Sequence, residues 1–486
     1  MSNPLNRAQH ALDSRQKNVN PRYKPEYHLS VPAGWLNDPN GFGFYQGKCH
    51  LFYQLHPYDS VWGLMHWGHW SSEDMVHWRH EPVAMAPDRA FDALGCFSGT
   101  ALEVDGRYYL AYTGVSEGHN GGPWLQQQCL AWTQDGIHIE KLENNPIVPC
   151  DMLPEGAAHD DFRDPKLEKT DSGYRMIAAS RGKKGGQLLS FVSGDLLHWQ
   201  YDGVYLDGLC EMAECPDCFE LDGHRVVAVS LMGCKDERLV TPQPVVYMIG
   251  HEENGAFHPY TPMRDVDRGL DFYAPQTCET PDGRRILIGW AFSCGRTIPT
   301  HTLGHGWVGT MTLPRECRIE DGRLYQRPVR ELESRRQNGK TAGPIEIGEK
   351  VCLSECSGPC REIVMDVDMS GAESFALHLM ETDGEHLKLT YDKATEMLTL
   401  DRRLCGHPFA KDGKPEENTS ASASAPLRNQ LLSLRIFVDV SIIEVYVNDG
   451  ESVLTIQAFP KENAYGVSAC AQGLARIARL RSYEIR

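Results

Sequence analysis

The sequence lacks a long hydrophobic run and an excess of positive charge. No stretch of the 486 residues approaches the length of a transmembrane helix, and residues 1–24 are polar, without the apolar core of a secretory signal. Only 48 Lys and Arg residues face 66 Asp and Glu residues, for a net charge of −18, whereas nucleic-acid binding requires a basic patch. We therefore expect no membrane and no nucleic-acid partner, and a cytoplasmic location.

The sequence also lacks the cysteine spacing of a small disulfide-stabilised domain, although it contains 16 cysteines. A cytoplasmic location therefore requires these cysteines to be reduced. Cys215 and Cys218 form a lone Cys-x-x-Cys pair without a partner pair, and His66 and His69 have no evident third ligand. We predict no metal and no cofactor.

A unit of strand, tight turn and strand recurs five times in the first two thirds of the chain. Each unit has a glycine at its turn, and successive turn glycines are 59, 67, 50 and 60 residues apart. A repeat of this length, built from short strands, is typical of propeller blades. The turn glycines are Gly47, Gly106, Gly173, Gly223 and Gly283.

Three of the five units carry a carboxylate nine residues before the turn glycine: Asp38, Asp164 and Glu214. In a propeller the innermost strands surround a central channel, so equivalent positions converge at one mouth. Three acids in a water-accessible funnel are the arrangement that glycoside hydrolysis uses.

Seven motifs in order make the chain resemble glycoside hydrolase family 32, which comprises invertases, sucrose-6-phosphate hydrolases and fructanases. The resemblance runs from about residue 27 to 330, and Asp439–Gly450 extends it into the C-terminal part. The motifs are Trp35–Gly41, Phe52–Gln54, Trp62-Gly63 with His66–His69, Phe97–Thr100, Arg163–Pro165, Glu214–Asp217 and Asp271–Gln276.

The resemblance and the strand pattern together predict an all-β chain, with a five-bladed β-propeller followed by a C-terminal β-sandwich. The boundaries are a tail at 1–26 that packs on the propeller or frays, the propeller at 27–332, a polar linker at 333–343 and the sandwich at 344–486. In the sandwich we predict paired strands at 376–380 and 386–391, a hairpin around Asn448-Asp449-Gly450, and a solvated loop at 415–426.

The resemblance implies a role for each acid. Asp38 is the expected nucleophile, Glu214 the acid/base and Asp164 the transition-state stabiliser. The role of Glu214 requires a proton, which two neighbouring acids would help to retain.

The resemblance also implies a set of sugar-binding residues. Arg163 has an alternative role in balancing acidic neighbours, and the aromatic residues have an alternative place in the propeller core. The expected substrate-binding residues are Asn37, Gln54, Trp62, Phe97, Ser98, Arg163, Tyr273 and Trp290.

The implied function is that of a retaining β-fructofuranosidase acting on sucrose-6-phosphate or sucrose. The alternatives are a hydrolase of fructo-oligosaccharides or fructans, a fructosyltransferase, which differs only in the acceptor, and a non-catalytic sugar-binding propeller. Loops 55–65, 114–124 and 181–186 are expected around the mouth. Arg181, Lys183 and Lys184 are candidates for a phosphate contact, with a solvated turn as the alternative. The sequence predicts no particular oligomeric state.

Overall fold

Five small, mainly antiparallel sheets precede one large sheet assembly in the computed structural model. The structure describes residues 3–118, 124–236, 238–239, 241, 243–293 and 295–486. The innermost strands of the five sheets contact one another around a central channel. The five-bladed propeller is therefore confirmed.

The blades have four principal strands each. The first contains β1 (Gly34–Tyr45), β2 (Lys48–His56), β3 (His66–Ser72) and β4 (Trp78–Met85). The second contains β5 (Gly95–Val104), β6 (Arg107–Ser116), β7 (Leu125–Thr133) and β8 (Glu140–Lys141), and the third contains β9 (Phe162–Thr170), β10 (Gly173–Gly182), β11 (Gly185–Ser193) and β12 (Trp199–Leu206).

The fourth blade carries a short extra strand, and the fifth is interrupted by a segment that pairs with the first. The fourth contains β13 (Met212–Leu221), β14 (His224–Met232), β15 (Val245–Glu253), β16 (Ala256–Pro259) and β17 (Arg264–Asp265). Then follow β18 (Tyr273–Glu279), β19 (Arg285–Trp290), β20 (Trp307–Val308), β21 (Arg315–Glu320) and β22 (Arg323–Pro328). Because β20 pairs in parallel with β1, it ties the last blade to the first.

All five innermost strands contain a β-bulge, and β1 contains a second one between Asn40 and Gly43. In each, the inner strand has one more residue than the strand beside it, which bends the strand and re-aims side chains. The register shifts lie between Leu36 and Pro39, Phe97 and Gly99, Arg163 and Lys166, Glu214 and Asp217, and Tyr273 and Gln276. Proline suits such positions, since the bulge leaves its missing N–H without a ladder partner.

The turn of the third blade differs from the sequence prediction. Thr170 pairs with Gly173, so the turn is Asp171-Ser172 and Gly173 already belongs to β10. Asp164 consequently lies within its bulge, whereas Glu214 immediately precedes its own. The predicted equivalence of these two acids is wrong by one residue, because the glycine that marks the turn elsewhere is displaced in this blade.

The C-terminal part is a β-sandwich-like assembly organised by two long strands. Its strands are β23 (Arg336–Ala342), β24 (Ile345–Ile347), β25 (Val351–Cys352), β26 (Cys360–Glu381), β27 (Leu387–Asp392), β28 (Met397–Asp401), β29 (Ala410–Lys411), β30 (Lys414–Pro415), β31 (Ser420–Ser424), β32 (Leu431–Asp439), β33 (Ile442–Val447), β34 (Ser452–Gln457) and β35 (Gly466–Ile485). The first half of β26 pairs with β32 and its second half with β27, while β35 follows it along most of its length.

Two predicted strand pairs are confirmed here and one prediction is wrong. Leu377 pairs with Leu389, and β33 and β34 form the predicted hairpin through Asn448–Gly450. The predicted loop at 415–426 instead contains β31, which pairs with β28 and buries Ala421 and Ala423. The Ser-Ala alternation matches the two-residue repeat of a strand that buries one of its faces.

The segments at both ends of the propeller are ordered. Residues 4–16 form helix α1 (Pro4–Gln16), capped by the Asn3 side chain and packed through Ala8 and Leu12, and a short helix α2 (Pro299–Thr302) precedes β20. Most of the predicted linker, 333–343, belongs to β23, which pairs with β35. Within the described part of the chain, no helix has the length and hydrophobicity needed to cross a membrane.

Several short 3₁₀ turns complete the secondary structure, and one disulfide joins two loops of the fourth blade. The 3₁₀ turns are Ala90–Asp92, Cys150–Met152, Arg330–Arg335, Ser354–Cys356 and Asn448–Gly450. Cys210 and Cys234 are disulfide-bonded, because the loop before β13 meets the loop after β14 with Cα atoms 5.0 Å apart. The expectation that every cysteine is reduced is wrong for this pair.

A buried ionic network joins the propeller, the N-terminal segment and the sandwich. Arg315 contacts Asp267 and Glu444, each at 2.8 Å, and all three side chains are fully buried. His28 bridges Asp439, at 2.8 Å, and Glu444, at 3.1 Å. Burial lowers the pKa of His28, but its hydrogen bonds to the two carboxylates outweigh burial and leave the pKa raised.

The His28 bridge predicts a pH-dependent stability. His28→Gln should lower the free energy of unfolding by about 3 kcal/mol at pH 6, since removing one partner leaves buried charge unpaired. Because the folded-state pKa lies above the ordinary value, the stabilisation is fully present below about pH 6.5 and is lost as pH rises through the folded-state pKa. Denaturant unfolding at several pH values measures this difference.

The control for this experiment is His10→Gln, which changes an exposed histidine of α1. It should leave the free energy of unfolding nearly unchanged at every pH. A His28→Gln deficit that stays constant between pH 6 and 9 would contradict the proposed protonation of the bridge.

Candidate active site

A cavity of about 340 Å³ opens at the channel mouth where the inner-strand bulges lie. It is lined by all eleven residues predicted as catalytic or sugar-binding, and by seven others. The predicted ones are Asn37, Asp38, Gln54, Trp62, Phe97, Ser98, Arg163, Asp164, Glu214, Tyr273 and Trp290, and the others are Trp124, Gln126, Asp160, Asp161, Met232, Gln243 and Phe292.

Asp38 lies in the bulge of β1. The Ser98 hydroxyl, from the bulge of β5, donates a hydrogen bond of 2.6 Å to its Oδ2. Burial raises the pKa of Asp38, the Ser98 hydrogen bond lowers it and the charge of Glu214 raises it, with a net increase. Ser98 therefore favours the anionic form of a carboxyl whose burial favours the protonated form.

Asp164 adopts a left-handed backbone conformation in the bulge of β9, with φ of 62°. The backbone N–H of Cys215 donates to its Oδ2 at 2.8 Å, and the Cys215 thiol lies 3.6 Å from Asp38 Oδ2. Burial raises the pKa of Asp164 to about 7; Arg163 opposes this shift, while Glu214 and Asp38 add to it. The three acids thus form one electrostatically coupled group.

Glu214 is held from two neighbouring blades. Arg163 donates to its Oε1 from Nε and Nη2, at 3.2 and 3.0 Å, and the Tyr273 hydroxyl donates to its Oε2 at 2.7 Å. Both oxygens therefore have a donor, and the orientation of the carboxyl group is set by β9 and β18.

Arg163 balances acids, which is the alternative role considered from the sequence. Its Nη1 donates to Asp161 at 2.9 Å and to Gln126 at 3.0 Å, in addition to the contacts with Glu214. Among the described residues of the cavity wall it is the one cation, beside five acids. The Asp160-Asp161 pair directly before the Arg163–Pro165 motif was a signal in the sequence that motif matching passed over.

Aromatic side chains form both the rim and the floor of the cavity. Trp62 and Trp124 are 48% and 45% exposed, and each packs edge-on against Phe97. Trp62 is therefore a rim residue and not part of the propeller core. Trp290, only 2% exposed, packs against Trp35, so it serves the core while presenting an edge to the cavity.

The candidate phosphate loop lies outside the cavity wall. Arg181 forms ion pairs with Asp160 and Asp161, which themselves line the cavity, and Lys183 lies 3.5 Å from Glu155. Two of the three predicted cations are thus engaged by acids, one layer away from the mouth. In the predicted rim loop 114–124, residues 119–123 lie outside the described residues.

Comparison with known proteins identifies relatives over the whole chain. The family model for the glycosyl hydrolases family 32 N-terminal domain matches residues 28–328, and that for the family 32 C-terminal region matches residues 331–484. A sucrose-6-phosphate hydrolase of Escherichia coli is 37% identical, covering 94% of each chain. A raffinose invertase of the same species is 36% identical, covering 97% of each.

Solved structures show the same similarity. A sucrose-6-phosphate hydrolase from Lactobacillus gasseri has a TM-score of 0.88 and 28% identity, covering 98% of this chain and 96% of its own. A mutant of a Bombyx mori GH32 beta-fructofuranosidase in complex with sucrose has a TM-score of 0.85 and 31% identity, covering 99% and 98%.

The environment of Asp164 predicts a carboxyl group that titrates near neutral pH. Difference infrared spectroscopy, which detects the protonated carboxyl, should show one buried acid with a pKa of about 7. Asp164→Asn should remove this signal. Arg163→Gln should move it to higher pH, because the guanidinium lowers the pKa of Asp164.

Asp160→Asn serves as the matched control, since it replaces a carboxyl of the same cavity wall. It should leave the neutral titration in place. Persistence of the signal in Asp164→Asn would assign it to another acid and contradict this account.

Proposed function

Because the chain belongs to glycoside hydrolase family 32, we propose that it is a retaining β-fructofuranosidase that hydrolyses sucrose-type substrates. The observation that carries the proposal is the convergence of Asp38, Asp164 and Glu214 on one cavity. Relatives named sucrose-6-phosphate hydrolase and raffinose invertase, each matched over nearly the whole chain, support it.

Asp38 is the proposed nucleophile. As a carboxylate it attacks the anomeric carbon of the fructosyl unit and forms a covalent ester while the glycosidic bond breaks. The Ser98 hydrogen bond to Oδ2 supports this role, since it favours the anion in a buried setting. The aromatic rim and floor supply apolar faces for the C–H groups of the sugar.

Glu214 is the proposed acid/base. It gives its proton to the leaving glycosidic oxygen in the first step and takes one from the attacking water in the second. Arg163 and Tyr273 support the role by fixing the carboxyl group. A substrate oxygen that approaches Glu214 must share or replace one of these donors, so Arg163 connects sugar binding with proton transfer.

Asp164 is the proposed stabiliser of the oxocarbenium-like transition state. Its carboxylate, anchored by the backbone N–H of Cys215, is suited to accept hydrogen bonds from sugar hydroxyls. Negative charge beside a developing positive centre lowers the barrier. Since the pKa of Asp164 is about 7, bound sugar hydroxyls and the cationic transition state would both favour its ionised form.

The preference between sucrose and its 6-phosphate is the finer part of the proposal. The cavity wall carries five acids and one paired arginine. This charge favours glucose over the anionic glucose 6-phosphate as the leaving group. A phosphate would need a cation, and Arg181, Lys183 and Lys184 are the candidates nearest the rim, provided that the acids now pairing with two of them give way. We also propose a cytoplasmic location; thirteen free cysteines among the described residues support it, and the Cys210–Cys234 disulfide counts against it.

The direct test is release of glucose and fructose from sucrose, assayed in parallel with the release of glucose 6-phosphate and fructose from sucrose-6-phosphate. Equal amounts of the two products identify a hydrolase, whereas an excess of the glucose moiety over free fructose identifies a fructosyltransferase. Binding of either sugar without any release would identify a non-catalytic sugar-binding propeller and would refute the proposal.

Substitution of the two proposed catalytic acids should separate their roles. Asp38→Ala should lower kcat at least about 1000-fold on every substrate. Glu214→Gln should lower kcat about 10²–10⁴-fold on sucrose but much less on an aryl fructoside whose leaving group needs no proton. Steady-state kinetics with both substrates measures the difference.

The matched control is Glu211→Gln, which replaces an exposed acid three residues before Glu214. It should retain nearly full activity. Equal losses of Glu214→Gln on both substrate types would exclude Glu214 as the acid.

The phosphate loop predicts a change in KM that is specific to one substrate. Lys183→Ala combined with Lys184→Ala should raise KM for sucrose-6-phosphate several-fold and leave KM for sucrose nearly unchanged. The difference corresponds to about 1 kcal/mol of binding free energy. The exposed pair Lys48→Ala with Lys169→Ala, near the blade turns, is the charge-matched control. An unaltered ratio of the two KM values would exclude the loop as a phosphate contact.

A further inference from the structure

Three side chains of types that can ligate a metal ion lie together on the segment joining β8 to β9. The Cys150 thiol, the Asp151 carboxylate and the His159 imidazole each present a ligand atom within 4.8 Å of the other two. Cys150 is buried, whereas Asp151 and His159 are exposed to solvent. An ion could therefore enter from solvent and meet a sulfur ligand at the base of the site.

Neither the Asp151 carboxylate nor the His159 imidazole has a hydrogen bond or an ion pair with the described part of the chain, which contrasts with other histidines of the propeller. In three blades an Asp-x-x-His pair closes on itself: His77 on Asp74 at 2.7 Å, His138 on Asp135 at 2.6 Å and His198 on Asp195 at 2.8 Å. Asp151 and His159 have acid and imidazole groups of the same kind but make no such pair, so their ligand atoms remain available.

We propose that Cys150, Asp151 and His159 form a binding site for a divalent transition-metal ion, for which Zn²⁺ is the best match. Thiolate, imidazole and carboxylate are the three ligand types that Zn²⁺ uses, and a solvent molecule completes a tetrahedral set. Cys150 binds as the thiolate and releases its proton to solvent. The site is separate from glycoside cleavage, which Asp38 and Glu214 perform without a metal.

The histidines that the sequence first suggested as a metal pair are unsuited to this role. His66 and His69 are both buried, and their rings contact Leu64 O and His50 respectively. Sequence reasoning missed Cys150, Asp151 and His159 because His159 lies nine positions after Cys150 and eight after Asp151. Only the fold of the segment brings the three together.

The metal site is connected to the rim of the catalytic cavity. His159 is followed directly by Asp160 and Asp161, which line the cavity, and Asp161 binds Arg163 at 2.9 Å. The carbonyl of His159 accepts a hydrogen bond of 2.9 Å from the backbone N–H of Gln126, whose side chain also binds Arg163. An ion that draws His159 toward Cys150 would therefore restrain the groups that position Arg163 against Glu214.

Cobalt provides a readout that does not depend on activity. Co²⁺ added to the reduced, metal-free full-length protein should give the absorption of a thiolate-to-cobalt bond at one equivalent, and Zn²⁺ should displace it. Cys150→Ser should abolish this absorption, and His159→Gln should weaken Co²⁺ binding at least about tenfold, since losing even an outer partner of a ligand costs that much.

Cys352→Ser is the matched control, because it removes an exposed thiol of the C-terminal part. It should bind Co²⁺ like the unaltered protein. Absence of the cobalt absorption in the unaltered protein, or its survival in Cys150→Ser, would overturn the metal site. Unchanged affinity in His159→Gln would remove His159 from the ligand set and would equally overturn it.

The connection to the rim is tested by kinetics and rests on the proposed function. Zn²⁺ at one equivalent should change KM for sucrose in the unaltered protein and in Cys352→Ser, but in neither His159→Gln nor Cys150→Ser. A KM that does not respond to Zn²⁺ in a protein that shows the cobalt signal would overturn the connection. Because the cobalt experiment needs no substrate, failure of the metal site and failure of the proposed function are distinguishable.

Discussion

The bulge in each innermost strand is the constraint on which the site depends. A regular strand alternates its side chains between the two faces of a blade, so it would not direct neighbouring residues toward the channel. A bulge breaks the alternation in each strand and turns Asp38, Ser98 and Asp164 into a common space. The left-handed conformations of Asp164 and Cys215 belong to this local geometry, and five closed blades hold it in place.

The cluster of acids that results is electrostatically unfavourable unless it is offset. Arg163 provides the one positive charge on the described cavity wall and pairs with Glu214 and Asp161. Hydrogen bonds from Ser98, Tyr273 and the backbone of Cys215 satisfy the remaining carboxylate oxygens in part. The partial compensation leaves the pKa values of Asp38 and Asp164 raised. A sugar brings hydroxyl donors and a positively charged transition state, which complete the compensation that the protein side chains provide only in part.

The C-terminal assembly contributes to the catalytic part through buried contacts and not through the cavity wall. No described residue beyond 343 lines the cavity. Glu444 and Thr455 instead complete the hydrogen bonding of Arg315 and Asp267, so each part satisfies polar groups that the other buries. Separating the two parts would leave these charged groups without their partners. For a buried ion pair, the loss of one partner lowers the free energy of unfolding by several kcal/mol. We infer that the assembly stabilises the last two blades and thereby the strands that carry Glu214 and Tyr273.

The sequence by itself determined the propeller, its number of blades and which three acids, Asp38, Asp164 and Glu214, would line one cavity. Strand and turn patterns are local, and they repeat with a period that only a few folds accommodate. It misplaced the turn at Gly173 by one residue, because a glycine that starts a strand and a glycine that ends a turn look alike. It also missed β31, whose small side chains gave no strong hydrophobic signal although they pack against β28.

Only the tertiary structure decided which groups contact one another across blades. The pairing of Arg163 with Glu214 and the bridge of His28 to Asp439 and Glu444 join residues from different strands or loops. Cys150 and His159 meet because the long segment between β8 and β9 folds back on itself. A local pattern specifies the type and spacing of such residues. The distance and burial that set their pKa values and their ligands arise only when the blades and the sandwich close around them.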